Sequence, residues 1–497
     1  MGKKEPLSRK LSFGIFYLLS GSFVSLALSV ITVGFVARVL GVSNFGLYSA
    51  IFSFVYLFQF LSDFGLNKTL LKFGSTDLNK AQISFGNALF VKGILALPTI
   101  ALISFFGLLA GYRGQEFLIL ECFSISLILD SYGVIFSSIR RILGSFKLVS
   151  FFRVLRTAIN LAIIVIALSI KNSVLSLALG NMLLSIVIFI ISLTNTVFLL
   201  KPKLRLNLIK FFFKDSVIFS LNDLFLNVYA KIGTVLLSFF DALHSVGIFS
   251  AAIRFTKIAN IIPMQIKFAL LPTMYRMLEK ENKDTSKRLF VILLKFMVIF
   301  ATPAVICIHF FSEDIIHLIF GRKYDLSIPL VKLFSLFIYL RFIETPFTLF
   351  YIALNKHTTM VWFQGFTSFL NIVLNLMLIP SYSIYGACTA TLTSEVFLAI
   401  LLIYSGSKYF VWSIKDVLSI LLKPSIAGGI TLLVMITVLH DFNIFFQTLF
   451  LIISYCCLLF ATKIFNNEDK ELFVKIFSRR KESDKNVTTL DEGIEQI

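Results

Sequence analysis

The stretch GIFSAAIRFTKIANIIP, from Gly247 to Pro263, is an apolar helical segment that carries two cations, Arg254 and Lys257. Residues three apart on a helix lie about one turn from each other, so both charges project from the same face. A charge at the centre of a bilayer costs roughly 2.5–3.5 kcal/mol on insertion scales. Two charges in such a segment therefore indicate either a water-filled cavity or an ion pair with another helix.

The composition of the whole chain is that of a polytopic helical membrane protein. Of its 497 residues, 57% are hydrophobic and only 15% are charged, whereas about a quarter of the residues in a soluble domain are charged. The mean hydropathy is +0.89. Apolar runs of 18 or more residues recur along the sequence, and each is long enough to cross a bilayer as a helix.

Hydropathy predicts about fourteen membrane spans. Their approximate residue ranges are 12–37, 47–66, 83–110, 117–138, 148–170, 174–198, 216–240, 246–274, 289–311, 327–354, 360–380, 384–405, 417–439 and 442–462. We expect an all-α fold with two parallel six-helix lobes and two C-terminal helices. The predicted units are an N-lobe at 1–200, a C-lobe at 201–410, spans 13 and 14 at 411–465, and a cytoplasmic tail at 466–497.

The distribution of Lys and Arg predicts that both termini face the cytoplasm. With the N-terminus placed inside, the inside segments hold 30 of these residues and the outside loops hold five. Cytoplasmic loops are enriched in Lys and Arg. This bias explains the net charge of +19 without a nucleic-acid partner, and no stretch between the spans is long enough for a nucleic-acid-binding domain.

Two pairs of short matches indicate an internal repeat. FGLYSA (Phe45–Ala50) corresponds to VGIFSA (Val246–Ala251), and the segment that begins at Asn160 corresponds to the one that begins at Asn371. Both pairs superpose spans 1–6 on spans 7–12. Transporters are often built from such repeats, with the substrate site between the halves.

Three motifs resemble those of the polysaccharide transporters in the multidrug/oligosaccharidyl-lipid/polysaccharide exporter superfamily, the Wzx-type flippases. They are ARVLGVSNFGLYS with the following LSDFGLNKTL, then VGIFSAAIRFTKIANIIPMQIKFALLPTM, and LNIVLNLMLIPSYSIYGACTATLTSE. Members of the family often carry an acid in span seven, where this chain has Lys231 and Gly233. That difference removes one route for coupling to H⁺ or Na⁺.

The resemblance implies a V-shaped bundle of two lobes that works by alternating access. Its substrate would be an undecaprenyl-pyrophosphate-linked oligosaccharide, moved across the bacterial cytoplasmic (inner) membrane for O-antigen, capsule or exopolysaccharide synthesis. The lipid bilayer is then a second partner, and a polysaccharide polymerase is considered as a third.

Polar residues inside the predicted spans form stripes that line a cavity or join helices. The candidate substrate-binding residues are Arg254, Lys257, Lys231, Arg156, Arg153, Asn160, Asn371, Asn375 and Arg341. The candidates for coupling or gating are Asp63, Asp223, Glu344 and Glu395. Asn371 and Asn375 can equally serve to join helices, and Arg341 and Glu344, three residues apart, can neutralise each other.

A cationic cavity suits a lipid diphosphate. Arg offers planar bidentate donors to phosphate oxygens, while Lys offers a mobile point charge. Amide and hydroxyl groups can bind sugar hydroxyls weakly and exchangeably. We therefore expect Arg254 and Lys257 to hold the pyrophosphate.

The sequence fits other functions less well. The sequence has no phosphate-binding glycine loop, Ser/His/Asp set or metal-ligand cluster, so we expect no enzyme activity, cofactor or metal. A membrane polymerase or ligase would carry a large external loop, and the longest one here runs from about Ser312 to Ser327. A cation-coupled multidrug exporter would favour acidic walls. A lipid II flippase is the closer alternative, because it also needs a cationic cavity.

Overall fold

The computed structural model describes residues 7–75, 77–279, 283–354, 356–409, 414–438 and 444–461, and all regular structure in these ranges is helical. The helices are α1 Leu7–Leu57, α2 Gln59–Asp63, α3 Leu66–Gly74, α4 Leu78–Leu109, α5 Gly114–Ile142, α6 Phe146–Ile170, α7 Val174–Leu199, α8 Ile209–Phe240, α9 Leu243–Ala259, α10 Ile261–Glu279, α11 Lys283–Phe310, α12 Ser312–Ile319, α13 Ser327–Ala353, α14 His357–Tyr409, α15 Ile414–Val438 and α16 Ile444–Ala461. The predicted cytoplasmic tail at 466–497 lies outside the described residues.

Two helices are too long for one crossing of a bilayer, which takes about 20 residues. Helix α1 has 51 residues and α14 has 53. Each contains one residue with non-helical backbone angles, Gly41 with φ 73° and Ser383 with φ 50°. Glycine adopts a positive φ without steric cost, and the Ser383 hydroxyl is held at its turn by a hydrogen bond to the Asp241 carboxylate.

These turns account for the predicted number of spans. Eleven helices in the described part of the chain are long and apolar enough to cross a membrane. The turns at Gly41 and Ser383 divide two of them into two spans each, and the shorter apolar helix α16 adds one more. The fold is that of an all-α polytopic membrane protein, as the sequence predicts.

The helices form two groups. In the first group, α1 packs on α6, α5 packs on α7 and α4 packs on α5; in the second, α14 packs on α8, and α13 packs on α9, α11 and α14. Helix α15 packs on α11, and α16 packs on α15. Helix α1 also packs on α8 and α9, so it joins the two groups. We call α1–α7 the first lobe and α8–α14 the second lobe; the division into domains, their bounds and the V shape stay predictions.

The lobes meet closely at the end of the bundle that contains Gly41, here called the Gly41 end. A Cβ atom at Gly46 would lie 1.8 Å from the Leu243 carbonyl oxygen, and one at Gly247 would lie 2.2 Å from the Val42 carbonyl oxygen. Both glycines belong to the repeated motif, FGLYSA and VGIFSA. Only glycine lets the two backbones approach this closely.

A second contact at the Gly41 end is made by Arg38 of α1. Its guanidinium donates hydrogen bonds to the carbonyl oxygens of His317, Leu318 and Ile319, at 2.9, 2.6 and 3.1 Å. These carbonyls belong to the C-terminal turn of helix α12, where the helix dipole favours a cation. The first lobe is thereby fixed to the segment between the ninth and tenth spans.

Candidate functional site

A cavity of about 250 Å³ lies inside the bundle, and we call it the central cavity. Helices α1, α5, α6 and α7 of the first lobe line it, together with Arg254 on α9 of the second lobe. Helix α1 contributes residues from both sides of the turn at Gly41. Because one lining residue, Arg254, comes from the second lobe, the shape of the cavity depends on how the two lobes pack together.

Arg254 brings to this cavity a positive charge that no described residue neutralises by direct contact. Its side chain is half-buried, and none of the residues that the structure describes forms an ion pair or hydrogen bond with its guanidinium. The structure thus places Arg254 at a cavity and shows no ion pair for it. The side chain of Lys257, predicted on the same face, lies outside the described part of the chain.

Arg156 lies in the same cavity but has an acidic partner. Its Nη2 is 2.6 Å from Oδ2 of Asp130 on α5. The Tyr56 hydroxyl donates to Oδ2 at 3.3 Å, and the Ser185 hydroxyl donates to Oδ1 at 2.9 Å. Asp130 is thus held by three side chains from three helices.

Asp130 is a site residue that the sequence reasoning missed. It stands alone in an apolar span, without the polar stripe that singled out the other candidates. The available signal was the acid itself, because an ionisable residue near the middle of a span is a functional candidate by default.

Asn160 lines the central cavity one helical turn from Arg156. Its Oδ1 is buried and accepts no hydrogen bond from the described residues. Arg153, on the same helix, instead donates to the Ser22 hydroxyl and does not line the cavity. Only two of the three predicted residues of α6 therefore reach it.

Aromatic rings form one wall of the cavity. Tyr48, Phe52 and Tyr56 follow one another at four-residue spacing on α1, and the last two rings stack with centroids 4.1 Å apart. The Lys231 ammonium lies 4.8 Å from the Phe52 centroid and 5.7 Å from the Tyr56 centroid, within range of cation–π attraction. Lys231 and Arg254 also line a smaller neighbouring cavity of about 20 Å³, which has room for roughly one water.

Arg341 does not reach the central cavity. It lies in a buried ion cluster on α13 and α14, where its guanidinium contacts Glu395 at 3.0 Å and Glu344 at 3.6 Å. The Tyr229 hydroxyl donates to Glu395 at 2.5 Å. The sequence suggested mutual neutralisation of Arg341 and Glu344; the closer partner is Glu395, 54 residues away.

Asn371 and Asn375 are also buried away from the cavity. Asn375 Nδ2 donates to the Asn371 carbonyl at 2.7 Å, and Asn371 Nδ2 donates to Ser394 at 3.3 Å, across the turn of α14. Asn375 Oδ1 lies beside Gly233 of α8. Of the two interpretations left open by the sequence, this arrangement fits the joining of helices.

Two predicted coupling or gating residues lie at the opposite end of the bundle, which contains Lys68 and is here called the Lys68 end. Asp63 pairs with the buried Lys92 at 2.7 Å, within the first lobe. Asp223 on α8 pairs with Lys68 on α3 at 2.5 Å, between the lobes. The Thr69 and Ser216 hydroxyls add a second contact between the lobes at 2.9 Å. The lobes therefore touch at both ends of the cavity.

Residues 35–329, more than half of the chain, match the family described as polysaccharide biosynthesis protein. No curated protein sequence matches the chain.

Solved structures share the fold at low sequence identity. The lipid II flippase MurJ in an inward closed conformation has a TM-score of 0.74 at 18% identity, covering 90% of this chain and 98% of that chain. A multidrug resistance MATE family transporter of the MOP superfamily, in an inward-facing conformation, has a TM-score of 0.62 at 13% identity, covering 80% of this chain and 98% of its own. A MOP superfamily transporter from Pyrococcus furiosus has a TM-score of 0.61 at 13% identity, covering 82% of this chain and 96% of that chain. All three are transport proteins.

Proposed function

Because this chain belongs to the polysaccharide biosynthesis protein family and has the fold of MOP superfamily transporters, we propose that it is a flippase for lipid-linked oligosaccharides. It moves an undecaprenyl-pyrophosphate-linked repeat unit across the bacterial cytoplasmic membrane for the synthesis of a surface polysaccharide such as O-antigen. The observation that carries this proposal is Arg254 in the central cavity, without an ion-pair partner among the described residues.

The charge of the cavity suits a diphosphate headgroup. The substrate must bring this anion out of water, and a guanidinium replaces lost hydration with bidentate hydrogen bonds. Arg254 supplies one guanidinium and Arg156 a second, while Lys231 lies in the adjoining cavity. Lys257 remains a predicted contributor from the same helix as Arg254.

The other wall suits sugars. The rings of Tyr48, Phe52 and Tyr56 offer flat apolar surface, and Asn160 and Asn181 offer amide groups. The buried Oδ1 of Asn160 still has acceptor capacity for a sugar hydroxyl. Contacts of this kind are weak singly, so they allow release as well as binding.

The size of the cavity supports alternating access. Sites for drug-sized ligands occupy roughly 300–1,000 Å³, and the central cavity measures about 250 Å³. A repeat unit of several sugars requires the lobes to separate further. The contacts at the Gly41 end and at the Lys68 end are the two that such a movement must break in turn.

We place the Lys68 end, both termini and the adjoining basic loops on the cytoplasmic side, in accordance with the Lys and Arg bias. The repeat units delivered at the Gly41 end would then be consumed by a polysaccharide polymerase. Coupling to H⁺ or Na⁺ stays a prediction, with Asp63, Asp223, Glu344 and Glu395 as candidates.

A lipid II flippase is the second candidate, since the solved structure with a TM-score of 0.74 is one and a lipid diphosphate would suit the same arginines. A multidrug exporter for cationic compounds is less consistent with the cavity, because the positive charge of Arg254 repels such compounds.

The test begins with deletion of the gene in its host. We expect surface polysaccharide to be lost and undecaprenyl-linked repeat units to accumulate on the cytoplasmic face. Complementation with wild-type protein should restore the polymer, and Arg254→Ala should not, with both proteins present in equal amounts in the membrane.

The matched control is Arg322→Ala, which removes an exposed arginine that does not line the cavity. It should complement fully. Normal polysaccharide with Arg254→Ala would contradict the proposed site. Normal polysaccharide in the deletion strain, together with accumulated lipid II or sensitivity to cationic dyes, would favour one of the alternatives.

A further inference from the structure

Among the described residues that line the central cavity, Asp130 is the one acid. Its carboxylate faces Arg156, and Tyr56 and Ser185 fix its orientation from α1 and α7. Arg254, on the opposite lobe, shares the cavity but has no such partner among the described residues. One arginine of the cavity is therefore held by an internal anion and the other is not.

The Arg156–Asp130 pair is built so that it can open. The side chain of Arg156 is 37% exposed and that of Asp130 is 20% exposed, and ion pairs with this degree of solvent access are weak. The ion pair joins Nη2 of Arg156 to Oδ2 of Asp130, and a guanidinium carries five N–H donors in all. A planar group with this many donors can bind the oxygens of an anion that enters the cavity.

We propose that Asp130 is an internal counter-ion that the diphosphate of the substrate displaces. While the cavity is empty, Asp130 holds Arg156; when the diphosphate enters, Arg156 turns to it and binds it together with Arg254. On release, Asp130 recaptures Arg156 and so lowers the affinity of the site for the departing anion. This inference rests on the proposed function and assigns Asp130 as a positioning residue for Arg156.

The test uses the purified full chain in lipid nanodiscs and undecaprenyl pyrophosphate without sugars as the probe. Asp130→Asn keeps the shape of the side chain and one acceptor oxygen, and its amide NH2 can donate to the second hydroxyl of the Tyr56 and Ser185 pair. It removes the charge that competes for Arg156. We expect the Kd for the probe to fall about tenfold, at the low end of the coupling measured for close charge pairs. Transport in proteoliposomes should become slower, because release is impaired.

Two further variants separate this role from a structural one. Glu121→Gln removes an acid from the same helix, where it accepts a hydrogen bond from Ser104 outside the cavity; it should leave the Kd unchanged. In an Arg156→Gln background, Asp130→Asn should no longer tighten binding. A residue that merely supports the fold would weaken binding in both backgrounds.

The outcomes distinguish this inference from the proposed function. If Arg254→Gln loses the probe while Asp130→Asn binds no tighter than wild type, the counter-ion role is wrong and the flippase proposal stands. If the wild-type protein does not bind the probe, or binds it as Arg254→Gln does, both proposals fail.

Discussion

The glycine contact at the Gly41 end predicts a defined response to a single methyl group. A carbon and a carbonyl oxygen rest about 3.3–3.6 Å apart, whereas the Cβ of Gly46→Ala would start 1.8 Å from the Leu243 oxygen. The helices must then separate by roughly 1.5 Å. Overpacking of this kind costs about 1–3 kcal/mol, and the cost falls only on conformations in which this end is closed.

We therefore expect Gly46→Ala to lower the Tm and to shift the protein towards conformations open at the Gly41 end. A difference of about 1.4 kcal/mol changes such a population ratio tenfold. Lys171→Cys and Leu326→Cys place spin labels at exposed positions at this end, one on each lobe. Pulsed electron paramagnetic resonance would then measure the change as a longer distance between the labels. The five native cysteines are replaced in all samples.

Gly429→Ala is the matched control, because a Cβ at Gly429 meets nothing within 4 Å. It should leave the distance distribution and the Tm nearly unchanged. If Gly46→Ala gives the same distances and the same Tm as Gly429→Ala, the close contact does not hold the lobes together and the reasoning is refuted.

Two further predictions concern ion pairs. Lys68→Gln breaks the contact between the lobes at the Lys68 end; since Lys68 is 41% exposed and Asp223 24% exposed, we expect a loss below about 1 kcal/mol. Thermal unfolding should show recovery in the exchanged variant Lys68→Asp/Asp223→Lys, and no recovery would count against the pair. Arg341→Gln leaves Glu344 and Glu395 buried without their guanidinium and should cost about 3–5 kcal/mol. Glu395→Gln should cost less, because Glu344 remains beside Arg341; the reverse order in denaturation measurements would contradict this picture of the cluster.

The sequence predicts the number of spans and both turns well, because long apolar runs and short polar breaks are one-dimensional signals. It also identifies Arg254 as a candidate site residue, because a cation far inside an apolar run is recognisable without any knowledge of its neighbours. Periodicity further identifies which residues share a helix face.

Periodicity cannot tell which way that face points. Arg156 and Asn160 share a face that turns towards the central cavity, whereas Asn371 and Asn375 share one that turns into a helix contact. The partners of Arg156 and Arg341 lie 26 and 54 residues away in sequence, so they depend on the packing of helices. Assigning every polar residue of such a helix face to the site therefore overestimates the number of site residues.

The contact of Gly46 with Leu243 and that of Gly247 with Val42 have a consequence for symmetry. Each glycine meets the residue four positions before the other glycine, as in an isologous interface between two identical subunits. Two copies of a half-length chain could make this seam from one sequence motif, which is how a duplicated and fused gene would inherit it. Because the two contacts are equivalent in this pairing and adjacent in space, a movement that separates the lobes at the Gly41 end must break both of them.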